Sequence, residues 1–276
     1  MVTEFTGKVM RRNHKLLNQR EMKRPDYLNH ALSMWFRACA LITLSWFFSF
    51  QASAAQHAPR EIVSNDMTIA SELSRHSLTN YLHQEGLTDY ENGNYSSSLS
   101  IFRTLASLNH TAAQYYLANM YFNGYGVTHD AAQAMLWYER AAELGHIQSQ
   151  YNMGVAYAKG IGIGSDISQA IYWWRRAALS GNTDAQFNLG LVYSKGFGIN
   201  KDLTTAARWW HKAATQGDAA AQFNLGTLYA NGDGVGQNLE LAIELWQQSA
   251  QQGFSHAVDA LKSLSLYQFL GNNQKK

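Results

Sequence analysis

Hydrophobic and polar positions recur every 36 residues through much of the chain. Glutamine stands at Gln114, Gln150, Gln186 and Gln222, and three more columns repeat at the same spacing: Leu117, Met153, Leu189 and Leu225; Ala118, Gly154, Gly190 and Gly226; Tyr121, Tyr157, Tyr193 and Tyr229. Within one unit the columns stand at offsets of 0, 3, 4 and 7 residues, which is one face of an α-helix. The pattern therefore predicts an amphipathic first helix in each of four repeats.

A glycine-rich turn and a second helix are predicted to follow in each unit. Glycines two residues apart permit positive φ in the turn, at Gly124/Gly126, Gly160/Gly162, Gly196/Gly198 and Gly232/Gly234. N-cap residues follow at Asp130, Asp166, Asp202 and Asn238, and Gln133 and Gln169 predict a capping box in two units. Glycine returns after the second helix, at Gly145, Gly181, Gly217 and Gly253, where a left-handed C-cap is expected. Each unit is thus predicted to be a helical hairpin that buries its apolar face by stacking on its neighbours.

Large aromatic residues are concentrated in the second helices. They form the pairs Trp137/Tyr138, Trp173/Trp174 and Trp209/Trp210, with Leu245/Trp246 in the fourth unit. Because adjacent helical residues point about 100° apart, one member of each pair is predicted in the core and the other at the edge of a neighbouring unit. A ligand-stacking role for the rings is the alternative. If Tyr193 and Trp209 are buried, truncation of either to alanine is predicted to cost about 3–5 kcal/mol.

The repeated pattern resembles a known family. Gln-aromatic-Asn-Leu-Gly-x-x-Tyr, then Gly-x-Gly, Asp-x-x-x-Ala, Trp-Trp and Ala-Ala, is similar to the Sel-one-like repeat (SLR), a relative of the tetratricopeptide repeat. The resemblance implies an all-α, right-handed α-solenoid of stacked helix-turn-helix repeats. Four SLR units are predicted over 111–254, after a degenerate tetratricopeptide-like hairpin over 78–110 without the Gly-x-Gly insertion. The flanking segments are predicted as a linker or N-terminal cap over 55–77, a capping helix over 255–270 and a disordered tail over 271–276.

Residues 1–54 are predicted to be a basic leader that ends in a signal peptide. Residues 38–50 are uncharged, follow Arg37, and precede small residues up to Ala54, after which cleavage is predicted. This apolar segment is shorter than the roughly 20 residues that a spanning helix needs, and an uncleaved anchor is the alternative. Met34 begins a compact signal peptide by itself and is an alternative start. The body is therefore expected to be periplasmic or secreted, or attached to the inner membrane through the leader with the body outside the cytoplasm.

The composition argues against some classes of partner and binding site. A hydrophobic content of 46% with 15% charged residues is typical of a globular chain. Residues 1–54 carry eight Lys/Arg against three acids, whereas residues 55–276 carry fourteen against seventeen. The body therefore has no net positive charge to offer a nucleic acid, which argues against nucleic-acid binding. The single cysteine, Cys39, excludes an internal disulfide framework and a cysteine-cluster metal site.

No motif predicts catalysis, a cofactor or a metal. The body contains no His-Glu-x-x-His, Gly-x-Ser-x-Gly or Ser-x-x-Lys sequence. Glycines 160–164 lack phosphate-loop spacing, and 231–236 lack the acidic ligands of a calcium loop. His110 and His146 occupy the turns that join hairpins and are predicted to be solvated or capping. The sequence therefore predicts a protein that is not an enzyme.

A binding surface is predicted on the first helices. Tyr116, Asn152, Asn188 and Asn224 form one column, and interior helical asparagine is locally unfavourable, so the amides either bond to a neighbouring hairpin or hold an extended peptide. In tetratricopeptide folds the first helices line the concave groove, and the resemblance places this column there. We add Asn119, Lys159 and Lys195 to the candidate set. Replacing the four column residues together is expected to abolish partner binding without unfolding.

The resemblance implies an adaptor or scaffold of the bacterial cell envelope that binds a protein or peptide partner. An envelope regulator that sequesters a membrane protein is an alternative with the same architecture. A hydrolase of cell-wall-related substrates is a further alternative, since some cysteine-rich family members have been described as such. The cysteine pairs of those members are absent from this chain.

Overall fold

The computed structural model describes residues 60–273, and side-chain burial is described for residues 76–265. The predicted leader, with Ala54, the alternative start Met34 and the localisation that depends on them, lies outside the described residues. The chain divides into two compact units, Met1–Ser74 and Arg75–Lys276. The described part of the first unit is helical, and the second unit contains the repeats. Within the described part of the chain, no helix has the length and apolarity needed to cross a membrane.

Every regular element of the described chain is a helix. In chain order the helices are α1 (Arg60–Glu91), α2 (Tyr95–Ser107), α3 (Thr111–Asn123), α4 (Ala131–Glu143), α5 (Ile147–Lys159), α6 (Ile167–Leu179), α7 (Thr183–Lys195), α8 (Leu203–Thr215), α9 (Ala219–Asn231), α10 (Leu239–Gln251) and α11 (Ser255–Asn273). The predicted linker or N-terminal cap is helical from residue 60 onward. Residues 271–273 belong to α11, so the prediction of a disordered tail is wrong there, and 274–276 lie outside the described residues.

Consecutive helices pack on one another in an unbroken series. Helices α3, α5, α7 and α9 are the first helices of the four repeats, and each packs on its own second helix and on the second helix before it. Between α1 and α2, the Ser98 hydroxyl donates to the Gly86 carbonyl at 2.9 Å. Buried side chains form a sequence of clusters along the stack. The predicted α-solenoid is confirmed.

Local turn chemistry defines the boundaries of the second helices. The Asp166 carboxylate accepts from the backbone N–H of Ser168 at 2.8 Å and of Gln169 at 3.1 Å, and the other three predicted N-cap residues act alike. The capping box is wrong in both units. The N–H groups of Asp130 and Asp166 donate to the carbonyls of Tyr121 and Tyr157 at 2.9 Å, so they offer no donor to the glutamine side chains.

The glycine pairs adopt the positive φ that the sequence predicts, but most of them lie at the surface. The first glycine of each pair ends a first helix with φ between +69° and +75°, at Gly124, Gly160, Gly196 and Gly232. The second glycine has φ between +66° and +69°, at Gly126, Gly162, Gly198 and Gly234. Gly160 and all four second glycines, beginning with Gly126, are exposed to solvent. These glycines therefore serve the repeat by adopting a left-handed backbone conformation and by allowing other backbone atoms to approach closely. They do not fill the core.

The second glycine of each turn connects neighbouring repeats. A Cβ at Gly126 would stand 2.8 Å from the carbonyl oxygen of Tyr95, the first residue of α2, and a Cβ at Gly162 would stand 2.5 Å from that of Ala131, the first residue of α4. Gly198 and Gly234 approach the start of the preceding second helix equally closely, at Ile167 and Leu203. Only glycine combines the left-handed backbone with this approach, so the turn determines the register between repeats.

The aromatic pairs follow the predicted division in two repeats only. Tyr138 and Trp210 are buried while Trp137 and Trp209 are half-buried. In the second repeat the prediction is wrong, because Trp173 and Trp174 are 4% and 2% exposed; Leu245 and Trp246 in the fourth are likewise both buried. Tyr193 and Trp209 are half-buried, so truncating either is expected to cost less than the 3–5 kcal/mol predicted for full burial.

Candidate functional site

The candidate residues lie on the first helices, but they differ in availability. The half-buried members are Tyr116 and Asn119 on α3, Asn152 and Lys159 on α5, and Asn224 on α9; Lys195 at the end of α7 is exposed. Asn188 is 3% exposed, so its side chain is not available to a partner. The predicted binding surface therefore includes fewer residues than the column of Tyr116, Asn152, Asn188 and Asn224 indicates.

Tyr116 is part of the packing between α3 and the preceding hairpin. Its ring stacks on Phe102 at a centroid distance of 5.2 Å and meets the edge of Tyr90 at 5.4 Å. Burial, with smaller contributions from Tyr115 and Glu91, raises the pKa of Tyr116 above its ordinary value, so the phenol stays neutral. Because Tyr116 and Asn188 both pack internally, replacing the whole column would damage the fold as well as the surface.

The first repeat carries a polar network that the column did not reveal. The Tyr138 hydroxyl donates to the side-chain oxygen of Asn119, and its position also brings it within hydrogen-bonding reach of Asn152. Gln148 donates to the Asn152 amide oxygen at 3.3 Å. Burial raises the pKa of Tyr138 far above its ordinary value, so this phenol remains a donor. We call Asn119, Tyr138, Gln148 and Asn152 the front network.

The front network exists because of a substitution between repeats. Trp210 and Trp246 occupy the equivalent of the Tyr138 position, and their indole N–H groups donate to the backbone carbonyls of Phe187 and Phe223 at 3.3 and 3.2 Å. A tyrosine hydroxyl reaches further and meets side chains on α3 and α5. In the sequence, the feature that marks this network is tyrosine at position 138, where the other three repeats have tryptophan.

Two histidines cap first helices beside this network. His110 and His146 each accept at Nδ1 from a backbone N–H, of Ala113 and Ser149, at 3.2 Å. The prediction of capping histidines is confirmed. The His146 ring lies 4.6 Å from that of Tyr115. Burial lowers the pKa of both histidines below the ordinary value, which keeps Nδ1 free to accept.

The chemistry of this face is suited to holding a peptide. Amide side chains on α5 and α9 offer both donors and acceptors, and Lys195 offers an exposed cation. Burial lowers the pKa of the half-buried Lys159 amine. Among the described residues, no group of His, Cys, Asp and Glu side chains is arranged to hold a metal ion.

The fold and this face define the class of protein: an α-solenoid of stacked helical hairpins with a polar first-helix surface. A family model for the Sel1 repeat, the SLR of the sequence analysis, matches residues 111–146, 147–182, 183–218 and 219–254. Since these matches cover more than half of the chain, the protein belongs to the Sel1 repeat family. The resemblance predicted from the sequence is confirmed.

Solved structures agree with this membership. A protective antigen of uropathogenic Escherichia coli that displays an SLR fold is 34% identical, with a TM-score of 0.63 over 67% of this chain and 40% of that one. A Sel1 repeat protein from Oxalobacter formigenes is 36% identical, with a TM-score of 0.58 over 62% of this chain and 49% of that one. This chain thus spans less than half the length of both proteins. No curated protein matches the sequence.

Proposed function

We propose that this protein is an exported adaptor or scaffold of the bacterial cell envelope that binds a protein or peptide partner on its first-helix face, which we define as Asn119, Asn152, Lys159, Lys195 and Asn224. Sel1 repeat proteins are generally protein-interaction modules and typically non-catalytic. The export pattern of residues 1–54 supports the location. An envelope regulator that sequesters a membrane protein would use the same face and differ only in its partner.

The observation that carries the proposal is the repeated amide on the first helices. Asn152 and Asn224 stand at the same position of two repeats, and both are half-buried instead of being enclosed as Asn188 is. A half-buried amide can still be reached from outside. It can donate to a carbonyl and accept from an N–H of an extended peptide.

Quantitative affinity capture from detergent-solubilised envelope tests the proposal. The full chain is compared with a face variant carrying Asn152→Ala, Asn224→Ala and Lys195→Ala. A matched control carries Gln247→Ala, Gln251→Ala and Lys262→Ala, which removes two amides and one lysine from exposed positions elsewhere.

The expected result is a partner enriched by the wild-type and control chains and lost from the face variant, while circular dichroism shows that all three chains are folded. A partner retained equally by the face variant would contradict the assignment of the face. If no protein is enriched over a bait-free control, the adaptor role is wrong.

A further inference from the structure

The outward faces of two neighbouring second helices are basic. On α6 the exposed face presents Tyr172, Arg175, Arg176 and Leu179, at offsets of 0, 3, 4 and 7 residues. On α8 the equivalent residues are Arg208, His211, Lys212 and Thr215. Neither helix contains an acidic residue. We call these eight residues the basic face.

The basic face is confined to the middle of the stack. The same positions of α4 carry Glu139 and Glu143 beside Arg140, and α10 carries Glu240 and Glu244 with no cation. The N-cap carboxylates of Asp166 and Asp202 accept from backbone N–H groups in the first turns of α6 and α8, and Arg176 reaches the backbone of Glu143 at the end of α4. Cationic charge is thus concentrated on two adjacent helices, although the body as a whole is slightly acidic.

Contacts with neutral groups hold the cations in place. Arg175 donates to the Tyr193 hydroxyl at 2.7 Å, and Arg176 donates to the Tyr172 hydroxyl at 3.3 Å. The guanidinium of Arg176 lies 5.1 Å from the Trp173 ring centroid, and the Lys212 amine lies 5.2 Å from that of Trp209. Cation–π contacts orient the charges without neutralising them, so the charges stay available to an anionic partner.

Large apolar side chains beside these cations are exposed to solvent. Tyr172 is 50% exposed and Leu179 is 68% exposed. Arg176 also reaches the Glu143 carbonyl at the end of α4, at 3.5 Å, so neighbouring second-helix faces are continuous. Beyond that boundary Leu136 and Leu144 are exposed as well. Protruding leucine and tyrosine beside arginine and lysine form a surface that is both cationic and apolar.

We infer that the basic face docks on an anionic phospholipid bilayer. Charge complementarity supports phosphate headgroups as the partner of the cations, and the acyl boundary receives protruding apolar side chains. Tyrosine is favourable at headgroup depth. A folded acidic protein would instead need pockets matched to Leu179 and Tyr172. Docking by the second helices leaves the amides of the first-helix face open to their own partner.

A fluorescence experiment on the full chain tests docking. The single native cysteine is removed by Cys39→Ser, and an environment-sensitive fluorophore is attached through Leu179→Cys. A second labelled chain carries Leu239→Cys, which places the probe at an exposed leucine beside the acidic Glu240. Phosphatidylglycerol/phosphatidylcholine vesicles are compared with phosphatidylcholine alone. A leader that inserts by itself would bring both labelled chains to either vesicle, so the probes report which face touches the lipid.

The expected result is a blue shift at position 179 on the anionic vesicles, none on neutral vesicles, and none at position 239. Arg175→Gln, Arg176→Gln, Arg208→Gln and Lys212→Gln together should lower the vesicle-binding constant, read by titrating this shift with lipid, by about fivefold per cation, from about 1 kcal/mol each. Replacing the three arginines with lysine keeps the charge and should preserve the shift. Tyr172→Ser should weaken docking without touching a charge.

Two results would overturn the inference. One is an unshifted probe at position 179 on a chain that floats with anionic vesicles. The other is that the wild-type chain binds a polyglutamate peptide, that the variant with lysine in place of the three arginines does not bind it, and that vesicles do not displace the peptide. This result would assign the face to an acidic protein.

Discussion

The glycine in the middle of the first helix is predicted to be required by the tryptophan opposite it in the second, third and fourth repeats. In the third repeat, a Cβ at Gly190 would stand 2.3 Å from Nε1 of Trp210 and 2.4 Å from Cδ1, against about 3.4 Å for an ordinary contact. Gly190→Ala must therefore displace the ring by about 1 Å and break its 3.3 Å hydrogen bond to the Phe187 carbonyl. Overpacking costs about 1–3 kcal/mol and the hydrogen bond about 1 kcal/mol. The better helix propensity of alanine returns about 1 kcal/mol.

The net expectation for Gly190→Ala is a loss of about 1–3 kcal/mol in the free energy of unfolding, or roughly 2–12 °C in Tm for a domain of this size. The first repeat indicates the rescue, because Ala118 there faces Tyr138 within one core cluster. Trp210→Tyr should therefore relieve Gly190→Ala. Rescue should be partial, since the new hydroxyl faces Leu191 at the position where Tyr138 meets Asn119.

A double-mutant cycle by urea unfolding and circular dichroism measures this coupling. The two single variants should each be destabilised, and the double variant should be more stable than their sum by at least about 1 kcal/mol. If the two changes add within about 0.5 kcal/mol, or if Gly190→Ala melts like the wild-type chain, Gly190 is not required by Trp210.

Three more variants test other parts of the account. Leu144→Gln should raise the free energy of unfolding by about 0.5–1.5 kcal/mol, read as a higher Tm, because the buried Gln114 Oε1 has no hydrogen-bond partner and Leu144 stands where later repeats supply one. His146→Asn should keep the cap and reduce acid sensitivity in a pH series of melts. Burial lowers the folded pKa of His146, so its contribution to stability is full above about 6.5 and is lost as the pH falls. Gly162→Ala should cost about 2–5 kcal/mol in urea unfolding, from a left-handed backbone and a clash with the carbonyl of Ala131.

Two of these variants have a matched control. Leu108→Gln makes the same exposed change at the end of α2, where the preceding unit has no glutamine to meet, and should leave Tm unchanged; equal stabilisation would rule out the Gln114 explanation. Gly164→Ala has no atom within 4 Å of the new Cβ and should be nearly neutral. An unaltered acid slope for His146→Asn would remove His146 from the pH response, leaving His83 and His110, whose pKa values burial also lowers.

Local chemistry explains why the helical hairpins could be predicted. Asp166 caps α6 and Gly162 adopts positive φ because both effects act within a few residues of sequence. The capping box failed because the Asp166 N–H is taken by the Tyr157 carbonyl, which the turn brings back from the first helix. Trp173 and Trp174 are both buried because α6 lies between two clusters, one on each side. The burial of both rings depends on the neighbouring repeats, so the sequence pattern of one repeat does not predict it.

The candidate site was predicted less completely than the fold. A column of asparagines marks the first-helix face, but residue type does not report burial, and Asn188 is enclosed where Asn152 and Asn224 are half-buried. The front network joins Tyr138 on a second helix to Asn119 on the first, across 19 residues. This hydrogen bond depends on how the two helices pack, which the local sequence pattern does not report. The basic face was hidden for a different reason, since net charge averages two cationic helices with acidic neighbours.

Site-specific photo-crosslinking in intact cells can show whether the first-helix face contacts a protein partner. A photoreactive residue is placed at Lys195, an exposed position on the first-helix face, and in a second chain at Gln247, an exposed position on α10. If a partner binds this face, position 195 gives a discrete cross-linked protein that is absent from position 247 and disappears with Asn152→Ala and Asn224→Ala. Cross-links from position 247 alone, or the same adduct from both positions, would contradict binding by the first-helix face.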